Sequence, residues 1–293
     1  MKPSQAAAAE AAASPASPTH LTLPLHVDCT GLDAGPEVDT FVLLHGFGGS
    51  SFTWRYWVHR LGLRGHVVLI DLKGFGAAPK PADGRYGPGE LADLVYLLIR
   101  QRGFRNLTLV GHSLGGGVAL LVAERLSRSD PDRLARLVIV AGAAYRQKLP
   151  PFVALARLGW LARALLRIAG ARRVVRVVLR SIVYDRNTVT DAQVEGYAEP
   201  LASPEARRAL VDTALRIVPR NMDQIAAGYR EIRAPVLLLW GREDRVVPLS
   251  VAHRLESELP SARLVILEAC GHLPPEERPD ESWAAVERFL DET

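Results

Sequence analysis

Residues 107–123 read LTLVGHSLGGGVALLVA, and this stretch decides the fold. The apolar run over residues 107–110 predicts a buried strand, and the small and apolar residues after residue 115 predict a helix. Between them stands Gly-x-Ser-x-Gly, centred on Ser113. In this context the pattern is typical of a nucleophile elbow, a sharp turn that holds a serine hydroxyl above the edge of a sheet. The alternative is a plain glycine-rich turn with an idle serine.

The composition is that of a globular domain. The chain has 293 residues, of which 48% are hydrophobic and 23% charged, so it can form one domain, or one domain with an insertion. No apolar run is long enough and free enough of charge to span a bilayer. The net charge of +4 is mild and does not indicate a nucleic-acid partner. Cys29 and Cys270 follow no metal or redox spacing, which predicts reduced, packed thiols.

Residues 1–19 form a separate tract, rich in alanine and then in serine and proline. We expect a disordered N-terminal tail. Glu10 interrupts the alanines, and a signal peptide needs a strongly apolar centre. The sequence therefore predicts a cytoplasmic protein, with export as the alternative.

Apolar segments that predict strands alternate with helical segments along most of the chain. Helices are expected over residues 51–62, 87–102, 249–259 and 283–290. This alternation predicts an α/β fold with a mostly parallel central sheet covered by helices on both faces. Functional loops are then expected at the carboxyl ends of the strands. The predicted strands are residues 21–30, 40–44, 66–70, 107–110, 137–140, 235–240 and 262–267.

The alternation stops between residues 145 and 233. Helical stretches dominate there, and residues 174–179 are ambiguous between a strand and a helix. We predict a helical cap at residues 145–233, inserted into a core formed by residues 20–144 and 234–293.

The first part of this cap is strongly basic. No Asp or Glu occurs between residues 146 and 180, and Gly170 is expected to divide the segment into two helices. A solvated basic face is the ordinary interpretation. The alternative is a weak contact with an anionic membrane surface. The basic residues are Arg146, Lys148, Arg157, Arg163, Arg167, Arg172, Arg173, Arg176 and Arg180.

Partners for the serine follow two later strands. A serine hydroxyl is a poor nucleophile unless a base removes its proton and an acid orients that base. Asp244 follows the strand at 235–240, and His272 follows the strand at 262–267. The order serine, acid, histidine at successive strand ends predicts a catalytic triad of Ser113, Asp244 and His272. Glu243 is the rival acid.

Acyl transfer also needs donors for a tetrahedral oxyanion. The backbone N–H of Leu114, directly after the predicted nucleophile, is the first candidate. The second is the N–H of Phe47, in the glycine-rich loop after the strand at 40–44. An ordinary glycine turn is the alternative for that loop.

Together these motifs resemble the α/β-hydrolase superfamily, and in particular its cap-bearing serine hydrolases. The resemblance covers about residues 21–293 and implies esterase-like hydrolysis through an acyl-enzyme, without a metal or cofactor. It also implies that Asp71 braces the loop after its strand. Because the nucleophile position holds serine, epoxide opening and dehalogenation are disfavoured. The matching segments are HGFGG at 45–49, DLKGFG at 71–76, GHSLGG at 111–116, GRED at 241–244 and GH at 271–272.

Fold and triad leave several chemistries open. Cleavage of a small apolar carboxylic ester is the leading hypothesis. Carbon–carbon bond hydrolysis and cofactor-free perhydrolysis use the same triad, and thioester or lactone cleavage is also open. A small-molecule receptor of this fold, with little turnover, is a different class. Oligomeric state is not determined by these patterns.

The predicted pocket is apolar. Phe47 and Trp54 are expected on one side, and Phe152, Leu155 and Trp160 of the cap on the other. Leu158 and Leu161 are further candidates from the cap. The alternative is that these side chains only pack the cap onto the core.

Overall fold

In the computed structural model, which describes residues 22–35 and 37–293, one sheet of seven strands organises the chain. The strand order is β1-β3-β2-β4-β5-β6-β7; β1 is antiparallel to β3 and every other neighbouring pair is parallel. The predicted α/β fold with a mostly parallel sheet is confirmed. The strands are β1 (His26–Gly31), β2 (Thr40–Leu44), β3 (His66–Asp71), β4 (Leu107–His112), β5 (Leu134–Val140), β6 (Val236–Gly241) and β7 (Ala262–Leu267).

Helices connect and cover these strands. Short 3-10 turns at Ser51–Trp54, Pro131–Arg133, Arg186–Thr188, Glu199–Leu201 and Gly228–Glu231 complete the connections. The α-helices are α1 (Val58–Gly62), α2 (Pro88–Arg102), α3 (Leu114–Ser129), α4 (Pro151–Ala156), α5 (Trp160–Ile168), α6 (Ala171–Ile182), α7 (Asp191–Ala198), α8 (Pro204–Arg216), α9 (Met222–Ala227), α10 (Leu249–Glu258), α11 (Pro274–Glu277) and α12 (Pro279–Glu292).

Both faces of the sheet are buried, which explains why its strands are continuous apolar runs. Along β2, Val42 and Leu44 join a cluster that includes residues of α2, α3 and α10. Phe41 and Leu43 point to the opposite face, where they join residues of α1 and α12. The alternation follows from the two-residue period of a strand.

The helix predicted over residues 51–62 is interrupted. The Ser50 side chain accepts the N–H of Phe52 and begins a 3-10 turn, and α1 starts only at Val58. Trp54 therefore lies in the 3-10 turn and not in α1, so its side chain does not follow the phase of the predicted helix.

The segment from residue 141 to residue 235, which the structure describes throughout, holds α4 to α9 and contains no strand. The ambiguous residues 174–179 lie in α6. Gly170, with φ of 79°, separates α5 from α6 as expected. The boundaries at residues 145 and 233 stay a prediction.

The tail prediction for residues 1–19 lies outside the described residues. Within the described ranges, no helix combines the length and the apolar character needed to cross a bilayer. Cys270 is buried, whereas Cys29 is exposed on β1, so the expectation of two packed thiols is wrong for Cys29.

Candidate active site

Ser113 occupies a strained turn between β4 and α3. Its φ is 53° and its ψ is −115°, a left-handed conformation that is costly for a residue with a side chain. The Ser113 N–H donates to the Val140 carbonyl over 3.0 Å, which anchors the turn to the neighbouring strand. A Cβ at Gly115 would lie 2.4 Å from the Leu44 carbonyl oxygen, so only glycine lets α3 approach β2 this closely. This is the geometry expected of a nucleophile elbow.

The predicted acid and base are hydrogen-bonded to each other. His272 Nδ1 lies 2.8 Å from Asp244 Oδ2, and both side chains are buried. The other carboxylate oxygen accepts the N–H groups of Val246 and Val247 over 2.7 and 3.0 Å. Because an ionised carboxylate only accepts, Nδ1 carries the proton and Nε2 is left as an acceptor. This is the tautomer that a general base toward a serine requires.

Glu243, the rival acid, points elsewhere. Its carboxylate accepts the backbone N–H of Cys270 over 3.0 Å. The geometry therefore favours Asp244 as the partner of His272, and it assigns Glu243 to bracing the loop that precedes the histidine.

The loop around His272 is held by a residue that the sequence analysis missed. The Glu277 carboxylate accepts the N–H groups of Gly271 and Leu273, each over 2.9 Å. The His272 N–H itself donates to the Ile182 carbonyl at the end of α6 over 3.0 Å. No local pattern marks Glu277, because its role depends on a fold of the loop that brings its carboxylate back over three residues.

His112 is the second missed residue. Its Nε2 lies 2.8 Å from the carbonyl oxygen of His272, and the two rings are 4.8 Å apart between centroids. Burial and the neighbouring His272 lower the pKa of His112 to about 3, so it is neutral near pH 7 and donates from Nε2. Its Nδ1 is buried and has no hydrogen-bond partner among the described residues.

The segments that carry the two predicted oxyanion donors lie next to each other because β2 and β4 are neighbours in the sheet. A Cβ at Gly46 would lie only 3.1 Å from the Ser113 Cβ, so the loop after β2 passes directly over the serine. Leu114 is the first residue of α3, and its N–H has no partner within the helix. Within the described part of the chain, the Phe47 N–H donates to no backbone carbonyl. Both residues line the same cavity as Ser113.

The loop after β2 is fixed from two sides. His45 Nε2 accepts the Leu72 N–H over 3.0 Å, and its Nδ1 lies 2.7 Å from the Gly46 carbonyl. Asp71 accepts the N–H groups of Ser51 and Ala77 over 2.6 and 2.8 Å. These contacts are the bracing role that the family resemblance implies for Asp71.

A cavity of about 210 Å³ lies between the core and the cap. Ser113, His112 and His272 line it, and most of its other lining residues are apolar, including several from α4 and α6. No Arg, Lys, Asp or Glu is among the described residues that line it.

The tyrosine hydroxyls at the wall are already engaged. Tyr145 donates to Glu258 over 2.8 Å, Tyr229 donates to the Ala144 carbonyl over 3.1 Å, and Tyr197 donates to Glu276. The Tyr197 hydroxyl also lies 3.2 Å from Thr53 Oγ1. Gln147, which also lines the cavity, donates from Nε2 to the Val246 carbonyl over 3.1 Å, and its buried Oε1 has no partner among the described residues. The tyrosine hydroxyls and the Gln147 amide nitrogen are thus already engaged as donors.

Glu276, which the sequence analysis also missed, joins the cap to the core. Besides Tyr197, its carboxylate accepts Gln193 Nε2 over 2.7 Å and Arg55 over 2.5 Å. Tyr197 and Gln193 belong to α7, whereas Arg55 and Glu276 belong to the core. The network pins α7 at the edge of the cavity.

Three of the five residues predicted to bind substrate line the cavity. Phe47, Phe152 and Leu155 do so, and the rings of Phe47 and Phe152 are 6.4 Å apart between centroids. Trp54 and Trp160 do not line it. Leu158 and Leu161, the further candidates, are exposed and do not line the cavity either.

The prediction for the two tryptophans is wrong for different reasons. Trp54 is fully buried against Trp57, 5.4 Å away between ring centroids, because the 3-10 turn directs it to the α12 side of the sheet. Trp160 is 73% exposed, because the helical phase of α5 places Ala162 rather than Trp160 toward the cavity. In the part of the chain that the structure describes, no three His, Cys, Asp or Glu side chains are grouped so that they could hold a metal ion.

Known proteins resemble this chain over nearly all of its length. It is 30% identical to a 2-hydroxy-6-oxononadienedioate/2-hydroxy-6-oxononatrienedioate hydrolase of Paraburkholderia phymatum, covering 88% of this chain and 86% of the relative. The solved 2-hydroxy-6-oxo-6-phenylhexa-2,4-dienoate hydrolase of Rhodococcus sp. is 26% identical with a TM-score of 0.76, covering 92% and 95%. A bacterial membrane phospholipase A is 27% identical with a TM-score of 0.68, covering 92% and 84%.

A family model agrees with these likenesses and with the geometry. The model described as the alpha/beta hydrolase family matches residues 41–286, which include the strained turn at Ser113 and the loops that carry Asp244 and His272. That match spans well over half of the chain, and the sheet order and the elbow are those expected of the fold. The chain belongs to the alpha/beta hydrolase family.

Proposed function

We propose that this hydrolase cleaves a neutral, apolar carboxylic ester through an acyl-enzyme on Ser113. The observation that carries the proposal is the cavity, whose described lining residues include Ser113 and His272, are mostly apolar and carry no charged side chain.

The proposed reaction has two halves, acylation and deacylation of Ser113, and His272 takes up and gives back one proton in each. Ser113 Oγ attacks the ester carbonyl while His272 Nε2 takes its proton, and the N–H groups of Phe47 and Leu114 stabilise the oxyanion. The protonated His272 then gives its proton to the departing alcohol, leaving the acyl group on Ser113. Water, deprotonated by His272, attacks the acyl carbonyl, and the acid leaves as Ser113 regains its proton. Asp244 stabilises the imidazolium in both halves.

The cavity also indicates the charge of the substrate. Moving a carboxylate from water into an apolar site costs several kcal/mol unless a cation or several donors compensate it. The lining residues that the structure describes include no cation, and their tyrosine hydroxyls donate to Glu258, Glu276 and Ala144. A neutral acyl chain avoids this cost, which supports an ester without a second acidic group.

Carbon–carbon bond hydrolysis is the second candidate, and the relatives favour it. Two similar proteins are named as hydrolases of a dienedioate and of a dienoate, which are carboxylates. The membrane phospholipase A, of comparable similarity, is named for an ester substrate. The sequence likeness and the charge of the cavity therefore support different substrates.

A matched pair of substrates tests the proposal. p-Nitrophenyl pentanoate and the p-nitrophenyl hemiester of glutaric acid have acyl chains of equal length, but only the second carries a carboxylate. We expect kcat/KM to favour the neutral ester by about 100-fold, equivalent to about 2.7 kcal/mol. A 2-hydroxy-6-oxo-6-phenylhexa-2,4-dienoate should be cleaved more slowly than the best ester.

The other outcomes identify the alternatives. If the dienoate is cleaved with a higher kcat/KM than every ester, the protein is a carbon–carbon hydrolase and the ester proposal fails. If a serine-directed phosphonate labels Ser113 stoichiometrically while neither substrate is turned over, a receptor of this fold is the better description.

A further inference from the structure

The outer side of α5 combines exposed apolar and basic residues. Trp160 is 73% exposed and Ile168 is 83% exposed. With 3.6 residues per turn, both fall within one arc of about 80° on the helix surface, and Arg163 and Arg167 border that arc. Ala162 lies on the opposite side and lines the cavity.

α6 continues the same arrangement. Val175 and Leu179 face the cavity, whereas Val177 is 66% exposed on the opposite side between Arg173 and Arg180. Both helices turn their inner sides to the same cavity, and only residues 169 and 170 separate them in the chain, so their outer sides are treated together. We call this the cap surface: Trp160, Ile168 and Val177, with Arg163, Arg167 and Arg173.

Ion pairs separate the arginines of the cap into two groups. Arg172 pairs with Glu195 over 2.5 Å and Arg176 pairs with Asp191 over 2.8 Å, so α7 neutralises that edge of α6. The arginines of the cap surface have no carboxylate within ion-pair distance among the described residues. The unneutralised charge therefore lies beside the exposed apolar side chains.

We propose that the cap surface is a docking site for an anionic lipid bilayer. Trp160, Ile168 and Val177 enter the boundary between headgroups and acyl chains, and the arginines pair with lipid phosphates. Arginine suits this position because its aliphatic stem lies along apolar surface while its guanidinium stays at the headgroups. In water the apolar side chains of the cap surface stay hydrated, which is unfavourable. Contact with lipid acyl chains removes that cost.

The charge decides between a bilayer and a second copy of the chain. A symmetric contact between two copies places the same patch against itself. The unpaired arginines would then face one another without a carboxylate to compensate them, which is unfavourable. An anionic lipid surface supplies the opposite charge.

Vesicle sedimentation tests the docking, and the full chain with Ser113→Ala is used so that no lipid is consumed. We expect binding to vesicles of phosphatidylcholine and phosphatidylglycerol, little binding to phosphatidylcholine alone, and weakening as salt rises through about 0.15 M. Arg163→Glu, Arg167→Glu and Arg173→Glu together should lower the partition coefficient at least about 100-fold. Trp160→Ser with Ile168→Ser should lower it at least about 10-fold.

Matched controls lie on other faces. Arg102→Glu, Arg105→Glu and Arg288→Glu together change the net charge equally, and these arginines are exposed and have no recorded ion pair. Leu63→Ser is the apolar control, because Leu63 is 71% exposed and does not belong to the cap surface. Both controls should keep vesicle binding. In the background that retains Ser113, the variants of the cap surface should hydrolyse small soluble esters at the unmodified rate.

Three results would overturn the docking site: no preference for anionic vesicles at low salt, equal loss of binding in the control triple variant, or a dimer in analytical ultracentrifugation that Trp160→Ser abolishes. Hydrolysis of lipid-like esters taken from the bilayer rests on the proposed function, whereas binding of the cap surface to vesicles does not. Binding without hydrolysis of any ester would thus refute only the proposed reaction.

Discussion

Replacing Asp244 by asparagine exchanges one oxygen for nitrogen, and the structure determines which oxygen is replaced. Oδ1 accepts two backbone N–H groups, from Val246 and Val247, so the amide oxygen of the asparagine must stay there. The amide nitrogen then faces His272 Nδ1, 2.8 Å from the former Oδ2. Because that nitrogen only donates, Nδ1 must accept, and the ring proton moves to Nε2.

An imidazole protonated at Nε2 cannot take the proton of Ser113. In serine hydrolases, an aspartate-to-asparagine change that imposes this tautomer lowers kcat about 10⁴-fold, equivalent to about 5.4 kcal/mol of transition-state stabilisation. We expect a loss of this size for Asp244→Asn. The fold should be retained, because both backbone donors keep their acceptor.

Glu243→Gln is the matched control for this experiment. It also removes one carboxylate charge from the same loop, but a glutamine oxygen can still accept the N–H of Cys270. We expect kcat/KM on a p-nitrophenyl ester to change less than about 10-fold, since that contact is a single hydrogen bond. Thermal unfolding monitored by circular dichroism should show both variants folded at the assay temperature.

Equal losses in the two folded variants would refute the assignment of the acid, as would a greater loss in Glu243→Gln. A small effect of Asp244→Asn would mean that the hydrogen bond between Asp244 and His272 does not set the tautomer during turnover.

Further changes probe the turn, the buried histidine and the loop glycines. Ser113→Ala should lower ester hydrolysis at least about 10⁴-fold while the protein stays folded, and an active variant would contradict the proposed nucleophile. The pKa of His112 is about 3 when folded and about 6.5 when unfolded, so protons bind the unfolded state first and stability falls as pH decreases between these values. His112→Asn should therefore reduce the loss of unfolding free energy between pH 7 and pH 5 by about 2 kcal/mol in urea titrations; an unchanged pH dependence would contradict this. Gly103→Ala should destabilise by about 1 kcal/mol, since φ is 69° but no atom lies within 4 Å of a new Cβ. Gly76→Ala should cost at least about 3 kcal/mol, because its Cβ would lie 2.1 Å from the Asp71 carboxylate; equal costs would argue against a tightly packed loop.

Local chemistry explains why the fold class could be predicted. Parallel strands buried on both faces are apolar runs, and residues 40–44 and 235–240 show this without any knowledge of their neighbours. The turn at Ser113 is also visible locally, because its strain and the close approach of strand and helix demand glycine at fixed spacing.

The pocket could not be predicted in the same way. Whether a tryptophan lines a cavity depends on helix phase and on small breaks such as the 3-10 turn before α1, and Trp54 and Trp160 were misplaced for those reasons. Glu276 and His112 act across distant parts of the chain, so no periodicity marks them. Glu277 accepts N–H groups from residues four and six positions earlier, but through an irregular loop that has no sequence period.

By itself, the sequence determined the alternation of strands and helices, the serine turn, and the positions of Ser113, Asp244 and His272 just after predicted strands, because each depends on residues close together in the chain. Only the tertiary structure decided that Asp244 rather than Glu243 contacts His272, and which arginines of the cap have no carboxylate partner among the described residues. Those outcomes depend on directions and distances between segments far apart in sequence, which packing of the sheet, the loops and the cap establishes.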